Sequence, residues 1–139
     1  SGRRVALLLK IAPDLDEAAI DDIAQQLVDH HLDGVIATNT TLARDGIAGA
    51  DHAHEAGGLS GAPLGDRATG VIARLRRVLP AGFPIIGVGG IVRPSDALAR
   101  LDAGADLVQL YSGLIYRGPG LIAQCALAAS SRRAQVAPD

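Results

Sequence analysis

Four short stretches carry the side chains and backbone that could do chemistry. Lys10 stands near the end of an apolar run, Val-Ala-Leu-Leu-Leu-Lys-Ile, over residues 5–11. An unpaired buried ammonium is costly, so this one must snorkel to water, find a carboxylate, or meet an anionic ligand. Thr38-Asn39-Thr40-Thr41 offers one amide, donor and acceptor at once, beside three hydroxyls. That set suits a small heterocycle or a carboxylate, and would equally serve to cap or turn the chain. Gly87-Val88-Gly89-Gly90 ends the β-branched run that begins at Ile85, and Pro94, Ser95 and Asp96 follow at the start of a helix-like pattern. Glycine is needed where main chain must come close to a ligand or take positive φ. A helix N-terminus just beyond adds free N–H groups and partial positive charge, a combination suited to phosphate. The plain alternative is a tight strand-to-helix turn. Tyr111-Ser112-Gly113 closes the series.

The elements that must position these residues follow from periodicity. Val5–Ile11 reads as a strand buried on both faces. After Pro13, Asp14 and Glu17 fit an N-cap and its return partner, and Leu15, Ala19, Ile23, Leu27 and Val28 recur at helical spacing up to about His31. Val35–Thr38 is a second short strand. A long polar connection from Leu42 to Gly65 leads to a helix over about Arg67–Leu79, and long loops of this kind are usually functional. The glycine stretch is the third strand. Pro94 opens a third helix, with Ala97, Leu98 and Leu101 facing inward and Gly104 stopping it. Asp106–Leu110 is a fourth strand, and a last helix runs from about Gly118 to Ser130. The expected order is therefore βα four times, with parallel strands and right-handed crossovers.

An open doubly wound sheet and a (β/α)8 barrel both fit this order. A full barrel takes about 250 residues, and four βα units are half of one. The favoured reading is α/β: a single partial domain over residues 1–139, the C-terminal half of a (β/α)8 TIM barrel. In either fold, ligands bind at the C-terminal ends of the strands. Every strand exit carries a polar group or a glycine (Lys10; Thr38 to Thr41; Gly87, Gly89 and Gly90; Tyr111 to Gly113), while the strand interiors are almost purely apolar.

Composition narrows the rest. The chain has 139 residues, 48 % hydrophobic and 20 % charged. Such a chain can bury a core and is not a disordered one. A net charge of −2 advertises neither a nucleic-acid surface nor an anionic-membrane surface. The single cysteine, Cys125, excludes an internal disulfide framework and reads as a small core residue. No apolar run is long enough to cross a membrane, and no secretory leader is recognisable. Methionine is absent, so Ser1-Gly2-Arg3-Arg4 is expected to be a cut end; residues 131–139 are expected to form a frayed tail.

Other constellations are weaker. The spacing Gly87-x-Gly89 opens like a dinucleotide fingerprint, but position 92 is Val and the third glycine is missing. Asp51, His52, His54 and Glu55 could ligate a metal, yet they lie in a polar Ala/Gly loop that reads as solvated. His30 and His31 suit the end of a helix. No Ser/His/Asp or Cys/His set assembles.

Taken together, Lys10-Ile11-Ala12-Pro13-Asp14, Ala37-Thr38-Asn39-Thr40-Thr41, Gly57-Gly58-Leu59-Ser60-Gly61 with Pro63-Leu64, Gly87-Val88-Gly89-Gly90-Ile91, and Val108-Gln109-Leu110-Tyr111-Ser112-Gly113 resemble the C-terminal half of class 2 dihydroorotate dehydrogenase. This is the quinone-dependent, membrane-associated flavoenzyme of pyrimidine biosynthesis. The resemblance covers about Val5 to Ala129, five motifs in order. It implies an FMN-containing barrel that oxidises (S)-dihydroorotate to orotate and passes electrons to a quinone. It implies that Lys10 and Thr38 contact the flavin and that Asn39 and Thr40 hold the orotate ring. It implies further that Gly61 lines the flavin site and that Gly90, Tyr111 and Ser112 bind the FMN phosphate. The family's catalytic serine and the N-terminal helices that reach membrane and quinone lie upstream of the matching motifs. The isolated chain is therefore expected to show no turnover. Two rival readings remain: a non-catalytic half barrel that pairs with a missing half or with itself, and a phosphate-binding barrel enzyme without flavin.

Overall fold

A computed structural model describes residue 2 and residues 4–136. Strand β1 (Leu8–Ile11) leads to helix α1 (Glu17–Asp29), and β2 (Gly34–Ala37) is followed by a long connection containing two single 3₁₀ turns, Asp45–Ile47 and Ala62–Leu64. Helix α2 (Gly65–Val78), strand β3 (Ile85–Val88), helix α3 (Pro94–Asp102) and strand β4 (Leu107–Gln109) follow. The chain closes with a short helix α4 (Ser112–Arg117) and α5 (Gly120–Val136).

All four strands are parallel and lie in sequence order, β1-β2-β3-β4. The order itself separates the two architectures left open above. Right-handed crossovers that always step in one direction put every helix on the same face of the sheet. A doubly wound sheet must reverse its strand order to cover both faces, and this sheet does not. One face is therefore helix-covered and the other lines an interior, as in half of a barrel.

The core sits between sheet and helices. Ile11, Val35, Ala37 and Ile85 point into a cluster with Ile20, Ala24 and Leu27 of α1 and Val71, Ile72 and Leu75 of α2. A second cluster joins Ile91 and Ala97 to Leu121 and Cys125 of α5. The opposite face carries the row Lys10–Ile36–Ile86–Leu107, in register across the sheet. In-register residues share a face of the pleat. Leu107 is 62 % exposed, and Lys10 is exposed at the other edge.

Several expectations change. Strand β1 starts at Leu8 rather than Val5 and is exposed along most of its length, because it is an edge strand: Lys10 is exposed on the uncovered face, and Leu9 is 43 % exposed even on the face that Ile11 buries. The N-cap of α1 is Asp16, whose carboxylate accepts the Ala19 amide at 2.8 Å. Asp14 is released for a different task, described below. In α3 the second buried position is Arg100, not an apolar side chain; Leu98 and Leu101 are only half-buried. The last helix runs through Val136, so residues 131–136 of the expected frayed tail are helical, whereas 137–139 lie outside the described residues. Of the expected cut end, residues 1 and 3 likewise lie outside them.

Candidate functional site

The strand exits converge on one cavity of about 280 Å³. β1 contributes Lys10, and the segment after β2 contributes Thr38, Asn39 and Thr40. The loop before α2 contributes Ser60 and Gly61. The β3 exit adds Gly89, Gly90 and Ile91, and the β4 exit adds Tyr111, Ser112 and Gly113. All eight residues singled out as contacts in the sequence thus line the same space. Two exit residues do not reach it. Gly87 faces the helices, where a Cβ would lie 3.1 Å from both Ile72 and Arg100. Thr41 is buried beside Asp14 instead.

Register explains the convergence. Ile11 pairs with Ala37, Ala37 with Gly87, and Val88 with Gln109, so the strands end at nearly one level. The Thr38 amide donates to the Val88 carbonyl at 2.9 Å and the Asn39 amide to the Ile11 carbonyl at 2.7 Å. These bonds extend the ladder past the strand and hold Thr38 at 2 % exposure. The Thr38 hydroxyl donates to the Asn39 carbonyl. Asn39 and Thr40 are left exposed toward the cavity.

Asp14 braces this segment. Its carboxylate accepts from the Thr41 hydroxyl and from the Leu42 amide, and Arg67 lies 3.5 Å away. Partial burial works against ionisation, but the two hydrogen bonds and the Arg67 charge outweigh it and hold the carboxyl below its ordinary range. Arg44 organises the long connection by donating to the carbonyls of Thr41, Leu42, Ala43, Glu55 and Gly57. Thr41 and Leu59 form an antiparallel bridge that carries Ser60 and Gly61 to the cavity. There the Ser60 and Ser112 hydroxyls meet at 2.8 Å, joining the second and fourth exits. His52 and Glu55 pair with each other at 2.7 Å on the exposed side of the connection.

The electrostatics are simple. Among the described residues, Lys10 is the one charged side chain lining the cavity. No carboxylate among the described residues pairs with it, so burial is not what it escapes; exposure at the sheet edge already keeps it wet. At the opposite end, the amides of Gly90, Ile91, Ser112 and Gly113 donate to no protein acceptor among the described residues. Gly90 has φ +69°, and a Cβ there would lie 2.4 Å from the Gly65 backbone, so only glycine fits. The cavity therefore has a cationic end at β1, an amide and hydroxyls at β2, and a cluster of unpaired N–H groups between β3 and β4. Ser60, Leu64, Val88, Ile91 and Gln109 also line the cavity and were not singled out as contacts. A polar residue within an apolar strand was an available signal for Gln109, and all five lie within the motifs quoted above.

The family model described as Dihydroorotate dehydrogenase matches residues 2–127. A protein named Dihydroorotate dehydrogenase (quinone) from Thiobacillus denitrificans is 60 % identical over 124 residues, 89 % of this chain and 37 % of that protein. Its namesake from Polaromonas naphthalenivorans is 56 % identical over 125 residues, covering 90 % and 36 %. The chain thus spans little more than a third of the curated relatives it matches. Among solved structures, Eimeria tenella DHODH in complex with ferulenol aligns with a TM-score of 0.88 at 37 % identity, over 97 % of this chain and 36 % of that one. The ligand-free form aligns equally well. The half-barrel topology and the motif order agree with these matches: this chain belongs to the dihydroorotate dehydrogenase family, and corresponds to a C-terminal part of its quinone-dependent members.

Proposed function

We propose that this chain forms part of the FMN and substrate site of a quinone-dependent dihydroorotate dehydrogenase, which oxidises (S)-dihydroorotate to orotate. The observation that carries the reading is the convergence of Lys10, Thr38, Asn39, Thr40, Gly61, Gly90, Tyr111 and Ser112 on one cavity. The donor set fits FMN: unpaired amides for a phosphate at one end, a cation and an amide side chain for a heterocycle that takes up negative charge on reduction at the other. When bound, FMN supplies the two-electron acceptor for the substrate and the link to the quinone.

The residues of this chain bind and orient. Gly90, Tyr111 and Ser112 hold the phosphate through backbone groups, and Gly61 and Thr38 line the ring. Lys10 places positive charge beside the ring and favours its negatively charged reduced form, a preorganised electrostatic contribution. Asn39 and Thr40 hold the orotate ring and its carboxylate. The base that takes the C5 proton is a serine upstream of this segment, so the isolated chain is expected to be inactive.

The remaining strands of the barrel are proposed to come from the rest of the same protein. The free edges of β1 and β4, with Leu7 and Leu107 exposed, are the surfaces those strands would pair with and cover. Among the described residues no helix is long and apolar enough to cross a membrane. Association with a membrane and access to the quinone are proposed to belong to the upstream region, as the family resemblance implies. The test is a full-length chain carrying this segment, loaded with FMN and assayed for dihydroorotate-dependent quinone reduction. Lys10→Ala and Asn39→Ala should each lower activity strongly, Asn39→Ala chiefly through substrate KM. Wild-type turnover in both variants would refute the assignments.

A further inference from the structure

Arg100 stands behind the glycine exit, outside the cavity. It is 3 % exposed, far below what an arginine normally shows. One Nη donates 2.8 Å to the Gly89 carbonyl and the other donates to the Thr69 hydroxyl of α2, while Nε has no acceptor among the described residues. The fork touches the loop closely: a Cβ on Gly90 would lie 3.2 Å from Nη2. No carboxylate among the described residues forms an ion pair with it. Asp96 is taken up by the amides of Val92 and Arg93, and it and Asp66 border the outer groove that Arg100 also borders. A buried guanidinium without a paired carboxylate is a destabilising choice for a fold. Something other than packing must account for it.

The peptide unit between Gly89 and Gly90 supplies the reason. A planar trans peptide points its C=O and its N–H in opposite directions, and the sole cis bond among the described residues is Ala37–Thr38. Arg100 draws the Gly89 carbonyl to the rear of the loop. The Gly90 N–H of the same peptide is thereby aimed forward, into the cavity, where it has no protein acceptor among the described residues.

We propose that Arg100 is a positioning residue for the phosphate end of the cavity: it locks the Gly89–Gly90 peptide with its N–H facing the ligand and sets an unpaired positive charge directly behind it. Asp96 and Asp66 act on Arg100 without pairing directly with it among the described residues; a bound phosphate in front of the loop would add a further counter-charge. This rests on the cavity being the FMN site.

The test compares FMN with riboflavin, which lacks only the phosphate, in a full-length chain carrying this segment. Wild-type protein should bind FMN the more tightly; equal affinities would overturn the FMN reading itself, and this proposal with it. Given a wild-type preference, Arg100→Gln should lower the FMN-to-riboflavin affinity ratio about tenfold or more, with riboflavin affinity nearly unchanged. Arg100→Lys, which keeps the charge but not the two-pronged fork, should lose less of the ratio than Arg100→Gln. An unchanged ratio in Arg100→Gln, a loss shared equally by riboflavin, or a failure of Arg100→Lys to rescue would each refute the proposal. Should Arg100→Gln not fold, Thr69→Val loosens the same guanidinium and is read the same way: a ratio lowered about threefold supports the proposal and an unchanged one sinks it.

Discussion

Gly90→Ala should damage this fold more than its size suggests, and by two separable routes. Gly90 has φ +69°, and an added Cβ would stand 2.4 Å from Gly65 Cα and 2.5 Å from Gly65 N. The left-handed conformation alone costs an L-residue about 1–2 kcal/mol. The contact is with main chain, so no rotamer relieves it, and forced overpacking of this kind adds about 1–3 kcal/mol. Together the loss is about 2–5 kcal/mol. Two controls isolate the terms. Gly49 has φ +85° with nothing within 4 Å of an added Cβ, so Gly49→Ala should show the backbone cost alone. Gly70 lies within α2 with equally open space, so Gly70→Ala should stabilise by about 0.5–1 kcal/mol. Urea unfolding followed by circular dichroism, in a full-length chain, reads all three as midpoint shifts at constant m. A Gly90→Ala midpoint no lower than that of Gly49→Ala would refute the packing argument.

Further predictions follow from the same contacts. Asp14→Asn removes the anion that braces Thr41 and Leu42 and should cost about 1–2 kcal/mol at pH 7. Because the folded-state carboxyl titrates below its ordinary value of 3.8, this stabilisation is complete above that value and is lost as pH falls through the folded one. The difference between wild type and Asp14→Asn in acid titrations should therefore shrink below about pH 4; a constant gap would contradict the charge assignment. Leu27→Ala, at a side chain 1 % exposed between α1 and the sheet, should cost about 2–5 kcal/mol in denaturant unfolding. Lys10→Met should leave stability within about 0.5 kcal/mol, since the residue is exposed and unpaired among the described residues. If activity in the FMN-loaded enzyme survives that change, the cationic end of the cavity has no catalytic part.

Much of this architecture is written locally. Short, mostly apolar runs of three or four residues, helices with one buried stripe, and glycine or polar residues at each junction are all decided within a few residues, so βα order was legible. All the candidate contacts but Gly61, which the family resemblance alone implied, were legible for a related reason. Polar residues concentrated at strand ends contrast with apolar strand interiors, and parallel strands bring their ends to one side. The α4 turn was not legible: six residues between Tyr111 and a glycine at φ +71° are too few to show a period. Asp14 was misassigned to a helix cap because the chain offers a second aspartate two residues later, and its real partners lie 27 and 28 residues away.

The sequence by itself determined which residues are able to bind an anion or a heterocycle, and that they sit at the ends of parallel strands. Only the tertiary structure decided that the strands run in unreversed order, leaving one face bare for a barrel interior. It also decided that β1 and β4 are edges with exposed apolar side chains, and that Arg100 spends its charge behind a glycine loop. An apolar periodicity cannot nominate a buried arginine, because the groups that make it tolerable, the Thr69 hydroxyl of α2 and the Gly89 carbonyl just after β3, lie 31 and 11 residues away. Pairings over such distances depend on how elements meet in space, and no local propensity encodes that.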